Sequence, residues 1–126
     1  MHSHHRILVV DDHPQYRHML RTFLQQNPEW EVCGEAADGR EALAQTRQLH
    51  PDLVLMDLQM PNVDGLEATR RIHAQWPSTH VLILTMHENP VLPQIAKESG
   101  ACGYILKSEP LQVLSSAIEK IDRSVD

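Results

Sequence analysis

Short, uninterrupted apolar runs along the chain alternate with stretches in which apolar side chains recur every three or four positions. Apolar runs of this kind are typical of strands that are buried on both faces of a parallel sheet. They predict five strands, at residues 6–10, 31–36, 53–56, 81–84 and 103–106. The helical spacing predicts five intervening or following helices, near residues 14–26, 42–49, 65–75, 90–99 and 111–121. Strands and helices in alternation predict an α/β fold, with a parallel sheet covered by helices on both faces.

Residues that favour helix ends set several of these boundaries. Pro14 suits the first turn of the first helix, with Asp12 or His13 as its cap. The fourth helix is expected to begin at Pro90, with Asn89 as a cap. Gly100 is expected to end that helix, because glycine adopts the left-handed conformation that often follows a last helical turn.

Composition limits the class of protein. A chain of 126 residues corresponds to one domain, and no apolar run approaches the roughly 20 residues that cross a membrane. No signal-peptide pattern is present, so we expect a cytoplasmic protein without membrane contact. A net charge of −6 argues against this segment gripping nucleic acid by itself. Residues 1–5 are expected to be a disordered segment or the remnant of a tag.

Polar side chains follow four of the five predicted strands, at the point where each strand ends. These residues are Asp11 and Asp12, Asp57, Thr85 and Lys107. The carboxyl ends of parallel strands lie along one edge of the sheet, so these groups are expected to converge there. Three neighbouring carboxylates repel one another until a cation or a proton relieves the repulsion. Mg²⁺ is the ion that best suits a few carboxylates together with phosphate oxygens.

This set of groups is suited to phosphoryl transfer. A carboxylate can act as a nucleophile toward phosphorus, and Asp57 stands alone after the central strand. Asp11 and Asp12 are then the candidate metal ligands. Lys107 would neutralise charge on the phosphoryl oxygens, and Thr85 would donate a hydrogen bond. Each residue alone is more simply explained as a turn or solvated residue, but their common position at strand ends favours a shared site.

Five short motifs resemble those of response-regulator receiver domains, over residues 7–121. The motifs are Val9-Val10-Asp11-Asp12, Met56-Asp57-Leu58-Gln59-Met60-Pro61, Asp64-Gly65, Leu84-Thr85 and Tyr104-Ile105-Leu106-Lys107. Three further motifs are similar to the NarL/FixJ, or LuxR-type, branch: Asp12-His13-Pro14, Thr85-Met86-His87-Glu88 and Gly100-Ala101-Cys102-Gly103-Tyr104. The resemblance implies a flavodoxin-like (βα)5 fold with the parallel strand order 2-1-3-4-5, which is also the order in the chemotaxis receiver.

The resemblance also implies a set of metal ligands. Asp11, Asp12 and Asp57 would hold Mg²⁺, for which Mn²⁺ can substitute, together with the backbone carbonyl of Gln59. Asp57 would be the phosphoacceptor.

Further residues carry roles that come from the resemblance. Thr85 and Lys107 would contact the phosphoryl group, and Thr85 and Tyr104 would form a switch. Gln59 and His87 would tune hydrolysis of the phosphorylated aspartate. The Lys107–Ser108 peptide bond stays open between cis and trans, because proline is common after this lysine in receivers and serine stands here.

The implied function is a phosphoacceptor module of a two-component system. A sensor histidine kinase would phosphorylate Asp57, and the surface of the fourth helix, fifth strand and fifth helix would change. That change would control homodimerisation and a helix-turn-helix DNA-binding domain that is absent from this sequence. Residues 6–122 would form the receiver, and residues 123–126 would begin the linker.

Three alternatives remain. The chain could be a stand-alone receiver in a phosphorelay, or a phosphate-independent interaction domain of receiver shape. A haloacid-dehalogenase-like phosphatase also uses an aspartate nucleophile, but that class needs a second aspartate where Gln59 stands. We therefore expect a self-phosphorylating and self-dephosphorylating signalling module rather than a metabolic enzyme.

Overall fold

The computed structural model describes residues 5–58 and 64–123. A single parallel sheet in the order β2-β1-β3-β4-β5 forms its centre, which confirms the predicted strand order. The strands are β1 (His5–Val10), β2 (Trp30–Ala36), β3 (Leu53–Asp57), β4 (His80–Thr85) and β5 (Gly103–Leu106). The helices are α1 (Pro14–Leu24), α2 (Gly39–Leu49), α3 (Gly65–Gln75), α4 (Leu92–Ser99) and α5 (Leu111–Arg123).

Alternate side chains of the central strands point to opposite faces of the sheet and build two cores. On one face, Ile7 and Val9 of β1 pack with apolar residues of α1 and α5. On the other face, Leu8 and Val10 pack with residues of α2 and α3, among them Ile72. Both faces of the central strands β1, β3 and β4 are therefore buried, as the uninterrupted apolar runs predict. The edge strands β2 and β5 are partly exposed.

Several element boundaries differ from those predicted. β1 begins at His5 rather than Arg6, because His5 pairs with Trp30 and its amide donates to the carbonyl of Glu29. His5 is only 5% exposed, so it belongs to the sheet and not to a disordered segment. The remaining residues of the predicted segment, 1–4, lie outside the described residues. β2 and β4 likewise begin one residue early, and α1 ends at Leu24, two residues before its predicted end.

The fourth helix begins at Leu92 and not at Pro90. The Oδ1 atom of Asn89 accepts a hydrogen bond from the amide of Val91 at 3.0 Å, which holds the preceding residues in a turn. Gly100 ends this helix with a φ of 93°, as predicted. No peptide bond is cis within the described part of the chain, so the Lys107–Ser108 bond is trans.

Gly65 allows α3 to begin close to the end of β3. A Cβ atom at this position would lie 2.2 Å from the carbonyl oxygen of Asp57. Any larger residue would push the helix away from that strand end. Within residues 5–58 and 64–123, no helix is long and apolar enough to cross a lipid bilayer.

Candidate functional site

The ends of four adjacent strands place the predicted residues at one edge of the sheet. Asp57 pairs with Leu84, which precedes Thr85, and Thr85 pairs with Leu106, which precedes Lys107. Asp11 follows β1, the other neighbour of β3. The register of a parallel sheet therefore brings these groups to the same edge, as the sequence predicts.

Three carboxylates converge at this edge. Ligand atoms of Asp11, Asp12, His13 and Asp57 all lie within 4.8 Å of one another. Asp11 and Asp57 are each 1% exposed. Asp12 is partly exposed, with 31% of its side chain accessible. The convergence of the three predicted carboxylates is present in the structure, whereas His13 is an addition to the predicted set.

His13 contacts both carboxylates that follow β1. Its Nδ1 atom lies 3.1 Å from Oδ1 of Asp11 and 3.0 Å from Oδ1 of Asp12. The His13 amide also donates to Oδ1 of Asp11 at 2.8 Å. The sequence offered a signal for this, since His13 directly follows the two aspartates and comes before the helix-starting Pro14.

The Lys107 ammonium supplies a positive charge to the site. Its Nζ atom lies 2.6 Å from Oδ2 of Asp11 and 3.4 Å from Oδ1 of Asp57. Only 7% of its side chain is exposed. The Lys107 amide donates to the carbonyl of Thr85 at 2.7 Å, which fixes the start of the loop after β5. The ammonium group is therefore held among the carboxylates that it partly neutralises.

Tyr16 of α1 contacts Lys107, which the pattern of residues along the chain does not predict. The Lys107 Nζ atom lies 4.5 Å from the centre of the Tyr16 ring. Burial raises the pKa of Tyr16 to about 12, and the negative charges of Asp11 and Asp57 add to this effect. The phenol therefore stays protonated at neutral pH. Tyr16 lies on the apolar, core-facing side of α1, where an aromatic residue usually serves only in packing. The sequence pattern alone therefore does not predict its contact with Lys107.

The remaining predicted residues differ in their burial and contacts. Thr85 is 1% exposed, and its Oγ1 atom accepts a hydrogen bond from the amide of His87 at 3.3 Å. His87 itself is exposed. Tyr104 is half-buried in β5 and pairs with Ile83 of β4. Gln59 lies outside the described residues.

Two arginines of α1 surround a carboxylate beside the site. Arg17 Nε donates to Oε1 of Glu35 at 2.9 Å, and Arg21 Nη1 donates to Oε2 at 2.6 Å. Partial burial opposes ionisation of Glu35, but these two hydrogen bonds and the arginine charges outweigh it and lower its pKa. Arg17 Nη1 also donates to the backbone carbonyl of Asp11 at 2.6 Å.

The donor set fits a hard divalent cation. Three carboxylates supply oxygen ligands, and Lys107 offsets only part of their negative charge. Mg²⁺ favours such ligands and keeps several waters, so it does not require an enclosed cage of protein groups. Asp11, Asp12 and Asp57 are the residues that would hold it.

The family model described as the response regulator receiver domain matches residues 7–119. The chain belongs to this receiver-domain family. The response regulator protein VraR of Staphylococcus aureus is 38% identical over 118 residues, which cover 94% of this chain and 56% of VraR. The chain spans about half the length of the curated relatives it matches: 49% of the transcriptional regulatory protein DegU of Brevibacillus brevis and 56% of VraR.

Solved receiver structures share the fold. A LuxR-family response regulator from Aurantimonas is 42% identical, with a TM-score of 0.89 over 94% of this chain and 85% of the other. The signal receiver domain of NarL from Mycobacterium tuberculosis is 29% identical, with a TM-score of 0.88 over 95% of this chain and 98% of the other. These relatives confirm the resemblance to the LuxR-type branch.

Proposed function

We propose that this receiver domain accepts a phosphoryl group on Asp57 from the phosphohistidine of a sensor kinase, in the presence of Mg²⁺. The observation that carries the proposal is the arrangement around Asp57. Its buried carboxylate lies 3.4 Å from the Lys107 ammonium and within reach of the carboxylates of Asp11 and Asp12. A nucleophile, a candidate metal site and a counter-cation thus share one edge of the sheet.

In the proposed step, a carboxylate oxygen of Asp57 forms a bond to phosphorus. The bond between phosphorus and the donor imidazole nitrogen breaks, and that nitrogen keeps the electron pair. Bound Mg²⁺ would neutralise charge on the phosphoryl oxygens. Asp11, Asp12 and Asp57 would hold the cation, and Lys107 would pair with a phosphoryl oxygen.

We propose that Thr85 and Tyr104 couple phosphorylation of Asp57 to a change in the surface of the domain. The phosphoryl group adds about −1.5 to −2 units of charge and new hydrogen-bond acceptors. The buried Thr85 hydroxyl would leave the His87 amide and donate to the phosphoryl group. Tyr104 would then turn inward, and the surface of α4, β5 and α5 would change. Gln59 and His87 would set the rate at which water hydrolyses the phosphorylated aspartate.

The whole protein is proposed to be a cytoplasmic transcription regulator. Its receiver would include residues 5–123, from the start of β1 to the end of α5, rather than residues 6–122. A linker to a DNA-binding domain would follow. The lengths of the relatives support this proposal, since the matched region covers about half of each. Phosphorylation would promote a homodimer through the changed surface. A stand-alone receiver in a phosphorelay is the second candidate.

The proposed function is tested by the mass of the intact protein after incubation with Mg²⁺ and acetyl phosphate. We expect one added phosphoryl group, which is absent without Mg²⁺ and absent in the Asp57→Asn variant. A folded sample that gains no phosphoryl group and binds no Mg²⁺ would favour the phosphate-independent interaction domain. Labelling that persists in Asp57→Asn would show that another residue is the acceptor.

A further inference from the structure

Arg17 joins the loop that carries two of the site's carboxylates to the end of β2. Its guanidinium group donates from Nη1 to the carbonyl oxygen of Asp11 at 2.6 Å, and from Nε to Oε1 of Glu35 at 2.9 Å. The side chain is 18% exposed, so most of it is shielded from water. One side chain thus connects α1, β2 and the residue that follows β1.

The direction of the Asp11 carbonyl affects how both aspartates of this loop are placed. It belongs to the planar peptide unit that links Asp11 to Asp12, so its direction helps to set how the two residues are placed relative to each other. The Asp11 amide is already fixed, because it donates to the carbonyl of Ala36 at 3.0 Å. The hydrogen bond from Arg17 therefore fixes the carbonyl side of Asp11, in the peptide unit that joins Asp11 to Asp12.

Glu35 balances the positive charge of Arg17 beside the candidate cation site. A guanidinium group near a cation site would repel the cation if its charge were not balanced. Glu35 accepts hydrogen bonds from both Arg17 and Arg21, and these bonds lower its pKa and keep it ionised. Arg17 can therefore orient the Asp11 carbonyl while the Glu35 carboxylate offsets its charge.

We infer that Arg17 is a positioning residue for the divalent cation, acting by holding the Asp11–Asp12 peptide between α1 and the ionised Glu35. This inference rests on the proposed function, because it assumes that Asp11 and Asp12 hold the cation. Groups that orient metal ligands without touching the metal typically change its affinity by one to two orders of magnitude when they are lost.

The test compares Arg17→Gln with Arg21→Gln in the 126-residue chain. Both variants lose one hydrogen bond to Glu35, but only Arg17 also contacts the Asp11 carbonyl among the interactions of the described residues. We expect calorimetric titration with Mg²⁺ to give roughly tenfold weaker binding for Arg17→Gln. Arg21→Gln is expected to bind Mg²⁺ as the unsubstituted chain does.

Denaturant unfolding without metal separates positioning from a general loss of stability. We expect Arg17→Gln to lose more stability than Arg21→Gln, since it loses two hydrogen bonds and Arg21→Gln loses one, but we expect both variants to remain folded under the conditions of the Mg²⁺ titration. Equal Mg²⁺ affinities in the two variants would overturn the inference. If Arg17→Gln fails to fold, Glu35→Ala is the substitute, because it removes both oxygen atoms that accept hydrogen bonds from Arg17 and Arg21. Unchanged Mg²⁺ affinity in Glu35→Ala would then overturn the inference.

A metal-free measurement distinguishes failure of this inference from failure of the proposed function. The His13 amide donates to Oδ1 of Asp11, so its hydrogen exchange reports the order of this loop. We expect faster exchange at His13 in Arg17→Gln than in Arg21→Gln, and equal rates would contradict the inference. If the unsubstituted chain bound no Mg²⁺, the proposed function would fail, and the exchange rates would still decide whether Arg17 holds the loop.

Discussion

The Lys107 ammonium lies closer to Asp11 than to Asp57: Nζ is 2.6 Å from Oδ2 of Asp11 and 3.4 Å from Oδ1 of Asp57. In this state the lysine is mainly the counter-ion of a proposed metal ligand, and only secondarily of the proposed nucleophile. A cation held by Asp11 and Asp12 would compete for the same carboxylate and would free the ammonium for a phosphoryl oxygen on Asp57.

The first prediction concerns the loss of this cation. Lys107→Ala leaves buried carboxylates without their counter-charge, and breaking a buried ion pair from one side costs about 3 kcal/mol. We expect a loss of this size in the free energy of unfolding at neutral pH without metal, measured with denaturant. The control is Lys120→Ala, which removes an exposed lysine of α5. An equal loss of stability in both variants would show that Lys107 does not stabilise the fold by pairing with the buried carboxylates.

The second prediction concerns metal binding and stability. A ligand that binds only the folded state stabilises it by about 2.7 kcal/mol at a concentration 100 times its dissociation constant. We expect Mg²⁺ to raise the free energy of unfolding accordingly, and Asp12→Asn to abolish most of this gain. Glu88→Gln is a suitable control, since Glu88 is an exposed acid near the same edge and lies outside the carboxylate cluster. A Mg²⁺ effect that survives in Asp12→Asn would show that the cation binds elsewhere.

The fold and the centre of the site follow from the sequence because a parallel sheet aligns the ends of its strands. Apolar runs locate β1, β3, β4 and β5, and the polar residue at the end of each run must then lie at the same edge. This is why Asp11, Asp57 and Lys107 could be placed together although 96 positions separate Asp11 from Lys107.

The surroundings of the site depend on packing that the pattern of residues does not encode. Tyr16 and Arg17 lie in the first turns of α1, and what they contact depends on how that helix is rotated on the sheet. The partner of Arg17, Glu35, is 18 positions away on an edge strand. The late start of α4 has a local cause, the hydrogen bond between Asn89 and the Val91 amide, which competes with a helical turn.

The third prediction concerns acid pH. The hydrogen bonds that lower the pKa of Glu35 below its ordinary value of 4.5 also stabilise the folded state. The unfolded chain binds this proton first as the pH falls, so the contribution is complete above pH 4.5 and is lost as the pH falls through the lower, folded pKa. We expect unfolding at a series of pH values to show a shallower acid loss in Glu35→Gln. The difference should disappear when Arg17 and Arg21 are both glutamine, and its persistence would show that other groups cause it.

The fourth prediction separates phosphorylation from the proposed response. Thr85→Ala removes the buried hydroxyl that would bind the phosphoryl group, but it leaves Asp57, Lys107 and the other carboxylates in place. We expect this variant to gain a phosphoryl group from acetyl phosphate, as seen by intact mass. Its oligomeric state, measured by light scattering, should then remain that of the unphosphorylated chain. Full dimerisation of phosphorylated Thr85→Ala would contradict the proposed switch.

The last prediction concerns the ring beneath the lysine. An ammonium group over an aromatic face gains about 0.5–1 kcal/mol, and more where water is excluded. Tyr16→Phe keeps this ring and Tyr16→Leu removes it, so we expect the leucine variant to be the less stable by about 1 kcal/mol. Packing differences between phenylalanine and leucine would persist without the cation, and the same pair of variants is therefore compared again with Lys107→Met present. If the difference between them is unchanged there, the ring acts through packing alone; if it shrinks, the ring helps to hold Lys107 beside Asp11 and Asp57.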